Sequence, residues 1–110
     1  MSGWWIVVDP RTPAERDASD DKLSPLIASW GANVFNVQWL KSLVSEGRAK
    51  QHSFSGYPNR FTASAADILP VIAELADPAS AGVTDVTIHK EKLLFIPSDH
   101  ILTIDVWDIS

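Results

Sequence analysis

The stretch that most constrains this chain is its last quarter, Val83 to Trp107, where apolar and polar residues alternate. Three segments read there as strands, Val83–His89, Lys92–Pro97 and Ile101–Trp107, with Lys90-Glu91 and Ser98-Asp99 as the turns between them. Side chains alternate between the two faces of a strand. In this register Val86, Ile88, Leu93, Phe95, Leu102 and Ile104 gather on one face, the expected core side of a three-stranded meander centred on Phe95. The other face collects Asp85, Thr87, His89, Leu94, Ile96, Ile101, Thr103, Asp105 and Trp107. One feature argues against the register: Lys-Glu lacks the Gly or Asn that tight two-residue hairpins prefer.

Upstream segments read as what packs on this sheet. Gly3–Val8 is a strand by composition, with Trp4, Ile6 and Val8 on one face and Trp5 and Val7 on the other. Residues 9–22 are polar, charged and broken by Pro10 and Pro13, which predicts a flexible loop. Ser24-Pro25 has the form of a helix start, opening a short helix to Trp30 that Gly31 stops. Asn33 caps a second helix, Val34 to Glu46, with a wide apolar stripe that buries Trp39. Arg48–Phe54 and Arg60–Ala63 read as short strands around a turn at 55–59, and Ala65 to Ala76 as a third helix carrying Pro70. This order predicts a single α+β domain over 1–110. Its architecture is a two-layer sandwich with a mainly antiparallel sheet, the C-terminal three-stranded meander and two to three helices.

Charge narrows the partners. The net charge is −5, yet residues 22–60 carry five bases and one acid while 61–110 carry eight acids and two bases. Such a chain repels a phosphate backbone, so nucleic acid is not expected as a partner and a basic protein is. No apolar run reaches the ~20 residues of a membrane span, and the start Met1-Ser2-Gly3-Trp4-Trp5 lacks a basic leader. With no cysteine in the chain, the expected location is cytoplasmic.

Catalytic chemistry is hard to assemble from these residues. In the meander register His89 and His100 lie ~17 Å apart along the strands, too far to share an ion, so neither metal nor cofactor is expected. Ser98-Asp99-His100 holds the residue types of a catalytic triad, but adjacency in sequence is not triad geometry, and Ser and Asp serve as turn formers. No phosphate loop, dinucleotide fingerprint or nucleophile elbow is present. The chain is therefore expected not to be an enzyme.

What remains points to binding. Left uncovered, the outer meander face is an apolar patch rimmed by acids, with Trp107 as anchor, Leu94 and Ile96 as apolar contacts, and Asp85 and Asp105 as steering charges. A second polar cluster combines Arg48, Lys50, His52, Tyr57 and Arg60. The expected function is a small acidic module that binds a basic protein, an inhibitor or immunity-type protein in its most concrete form. The alternatives are a homodimeric structural subunit and an anion- or small-molecule-binding domain using Arg48, Lys50 and Arg60.

Overall fold

The computed structural model describes residues 3–21, 24–32, 38–52, 59–75 and 83–108. Their elements run β1 (Trp4–Asp9), α1 (Pro13–Ala18), β2 (Ala28–Ala32), α2 (Gln38–Ser45), β3 (Ala49–Gln51), β4 (Asn59–Ser64), α3 (Ala65–Leu75), β5 (Val83–Ile88), α4 (Lys90–Leu93) and β6 (Ile101–Asp108). The fold class is α+β, as expected. The strands form one antiparallel six-stranded sheet in the order β3-β4-β6-β1-β2-β5.

Alternation along the central strands decides what the sheet buries. Ile6, Val8, Ala28, Trp30, Ala32, Phe61, Ala63, Leu102, Ile104 and Val106 point to one face, where Leu40 of α2 and Ala65, Ile68 and Ile72 of α3 close the core over them. Trp30 is 1% exposed and lies 6.4 Å from Trp39 of α2, ring centre to ring centre. The opposite face carries Trp5, Val7, Asp9, Thr103 and Asp105, and α1 reaches down onto it through Arg16.

The meander does not form. Its first and last strands exist as β5 and β6, but β6 lies in the middle of the sheet between β4 and β1, and β5 is an outer strand beside β2. Between them, Lys90 to Leu93 wind into α4 and Leu94-Phe95 into a turn, closed by Phe95 N–H to Lys92 O and Ile96 N–H to Leu93 O, each 3.3 Å. A Lys-Glu-Lys-Leu run of good helix formers makes a helical turn more readily than a two-residue hairpin, which needs positive φ. Phe95 is consequently not the core centre; its side chain is 84% exposed.

Two further expectations change. Residues 9–22 hold α1, opened by a capping box in which Thr12 Oγ1 accepts from Glu15 N–H and Glu15 Oε1 accepts from Thr12 N–H, with Pro13 at the first turn. The segment read as a helix to Trp30 is instead β2. Gly31 there is no helix stop: a Cβ on it would come within 2.7 Å of Thr84 Oγ1, so the glycine lets β5 approach. The helix expected over 34–46 is described from Gln38 onward, and its earlier residues lie outside the described ones. β5 is bulged, since Ser29 faces Thr87 and Gly31 faces Thr84, leaving Asp85 and Val86 opposite Trp30 with Asp85 at φ 52°. A bulge on an outer strand disrupts the ladder that a second sheet would otherwise extend.

Candidate functional site

The residues expected together at one patch are dispersed. Asp105 and Trp107 do share a face of β6, but Asp105 is 1% exposed and serves as an internal acceptor, not as a surface steering charge. Trp107 stands opposite Trp5 of β1 and is exposed, at 37%. Asp85 is exposed on the β5 bulge, whereas Leu94 and Ile96 follow α4. Tyr57 lies outside the described residues. Arg60 is bound internally, Arg48 approaches Asp67 at 3.9 Å and Lys50 is exposed, so these three do not form the anion cluster expected of them.

The buried charges form one network. Arg16 Nε donates to Asp105 Oδ2 at 2.7 Å and its Nη1 to Asp9 Oδ2 at 2.9 Å. Arg60 clasps Asp105 from the other side with Nε to Oδ1 at 2.7 Å and Nη2 to Oδ2 at 3.0 Å, and reaches Asp17 of α1 at 2.8 Å. Arg11 holds Asp9 through its backbone N–H, Nε and Nη2. Burial by itself raises the pKa of Asp9, but the hydrogen bonds from Arg11 and Arg16 outweigh it and hold the carboxyl below its ordinary value. A carboxyl lowered on folding stabilises the fold above its unfolded pKa and loses that contribution as pH falls through the folded one. Stability should therefore decline below about pH 4. Arg11→Met should make this acid limb shallower, as read from melting temperature against pH; an unchanged limb would assign the acid lability to other carboxyls.

The network also fixes a corner of the surface. It anchors Asp9 and Arg11 on either side of Pro10, Thr103 Oγ1 donates to Arg11 O at 2.7 Å, and His100 Nε2 donates to Pro10 O at 2.6 Å. Pro10 is thereby held as one wall of an open, apolar shelf of about 470 Å3, with Pro25, Ile27, Ile96 and Phe95 around it. The second wall, 24–27, is tied down by Lys92 Nζ donating to Ser24 O and Leu26 O, by Ile27 N–H to Val8 O and by His89 N–H to Ile27 O. From the third side the α4 turn presents Phe95, 84% exposed; Leu94, 82% exposed, precedes it in the chain but does not line the shelf. The exposed Phe95 ring thus borders an open apolar surface, the most apolar open surface among the candidate residues. Sequence reading included Leu94 and Ile96 but missed Phe95, because the meander register turned it inward.

The histidine argument loses its basis with the meander, since no 92–97 strand separates His89 from His100. The three have separate neighbours: His89 approaches Glu91 at 3.6 Å, His100 binds Pro10 O and His52 Nε2 pairs with Thr62 Oγ1 at 2.7 Å. Among the described residues no group of three His, Asp or Glu side chains is arranged to hold a metal, and no helix is long and apolar enough to cross a membrane. Comparison with protein-family models, curated proteins and solved structures finds no match.

Proposed function

We propose that the chain is a non-catalytic protein-binding module that seats an apolar segment of a basic partner on the shelf, with Phe95 as the anchor. The observation that carries this reading is the 84% exposure of Phe95 over a shelf whose walls are fixed by hydrogen bonds. A surface ordered before binding loses little entropy on association, and an aromatic anchor in such a setting concentrates the binding energy. The charge nearby favours a basic partner. Asp21, which accepts from Ser24 N–H, is exposed beside the shelf, while the Lys92 ammonium is turned onto backbone carbonyls. In its narrowest form the partner is a basic toxin or enzyme whose cationic site the chain blocks in the cytoplasm, an inhibitor or immunity-type role. The alternative, a homodimer through the outer sheet face, is disfavoured because α1 occupies part of that face through Arg16 on Asp9 and Asp105.

The test is capture of a partner from the native host, compared between the parent and Phe95→Ala. Loss of at least ~2 kcal/mol of binding is expected, with the melting temperature within a few degrees of the parent because an exposed ring supports little packing. Association should slow as salt rises. Equal capture by parent and Phe95→Ala would sink the shelf as the site.

A further inference from the structure

We propose that α1 is a latch that opens as a unit while the sheet stays folded, baring the carboxylates of Asp9 and Asp105. Closed, it leaves them 0% and 1% exposed. The latch is independent of the shelf, because the bonds that hold Pro10 and Arg11 in place do not pass through α1.

Two features set α1 apart from the other long-range supports of the sheet. The first is what it buries. Ala14, Glu15, Asp17 and Ala18 are exposed, Pro13 is half-buried and only Arg16 is buried. α2 and α3 put Leu40, Ile68 and Ile72 into the core, whereas α1 gives the core no apolar side chain. Among the described residues it is held to the strands through charges, Arg16 to Asp9 and Asp105, and Asp17 to Arg60. Returning a buried ion pair to water regains hydration that offsets much of the attraction lost. Nor does opening strand an anion, since Arg11 stays on Asp9 and Arg60 on Asp105.

The second feature is length. A helix of six residues is far below the ~12–15 that an isolated helix needs in water. α1 therefore keeps its turn only while docked, so release and unwinding are one event between two states. Segments with few buried apolar contacts open locally at a fraction of the cost of global unfolding.

Native-state hydrogen exchange at low, non-unfolding denaturant concentrations tests this. The probes are Glu15 N–H, held by Thr12 Oγ1, and Arg16 N–H, held by Thr12 O. Both should exchange about a hundredfold slower than in an open chain, at one common opening equilibrium that hardly changes with denaturant. Amides of β1 and β6 should be slower by at least a further factor of about 100 and should accelerate steeply with denaturant, because they open only with the whole domain. Asp17→Asn, at an exposed position, should speed both α1 probes about two- to fivefold, although Glu15 N–H lies on Thr12 and not on the severed pair. Probes in α1 that follow β1 and β6 across denaturant would overturn the proposal. So would an Asp17→Asn variant in which either probe keeps the parent's rate.

Discussion

Replacing Arg16 with Met is expected to cost about 3 kcal/mol of stability, a fall in melting temperature on the order of 15 °C. Arg16 is the link shared by two carboxylates on adjacent strands, Asp9 of β1 and Asp105 of β6, both essentially without water contact. Met keeps much of the side-chain volume and removes the charge, so what is lost is the compensation of two buried anions. Arg11 still holds Asp9 and Arg60 still holds Asp105, which places the cost at the lower end for a broken buried pair. The same change removes the direct link between α1 and Asp105 and leaves the helix tied to the sheet through Asp17 and Arg60. Denaturant unfolding of the variant checks the figure. A change below ~1 kcal/mol would mean that Arg11 and Arg60 suffice for the carboxylates and that Arg16 only decorates them.

Trp30→Ala should cost about 3–5 kcal/mol, enough to unfold much of a domain of ordinary stability. Trp30 sits on β2, 1% exposed, with Trp39 of α2 beside it. Truncation opens a cavity under α2 that neighbouring strands, fixed by their ladders, cannot close. Phe95→Ala is the paired control, since an exposed residue changes stability by about 0.5 kcal/mol or less. The two substitutions together locate the core: equal losses would return Phe95 to the interior and refute the α4 turn.

Alternation was a sound guide wherever a strand is flanked on both sides. The inward residues Ile6, Val8, Leu102 and Ile104 follow from period-two patterning, and all are completely buried. The same pattern misled at Lys92–Pro97, where Leu94 and Ile96 alternate with Leu93 and Phe95 in a segment too short to separate a strand from a helical turn. The segment to Trp30 was misread from a different signal: Ser24-Pro25 has the form of a helix start and Gly31 of a stop, whereas the chain there is β2 and the glycine admits Thr84 of β5. The α1 helix was legible in its capping box, Thr12 to Glu15, but the charges around it read as a solvated loop. For the candidate site, Leu94 and Ile96 were named, while the shelf itself was not visible, being built from segments far apart in the chain.

The sequence by itself determined the class of fold, the inward set of the central strands, the acidic balance and the lack of thiol chemistry, because each depends on local periodicity or composition. Only the tertiary structure decided that β6 would lie between β4 and β1 and not against β5. Strand order depends on long-range pairing, and local alternation is the same for any neighbour. That choice brought Arg60 across from Asp105 and Asp9 beside Arg16, turning charges that looked solvated into a buried brace. With β6 placed in the sheet centre, the segment between β5 and β6 was free to fold as α4, and the ring that patterning assigned to the core was left in water.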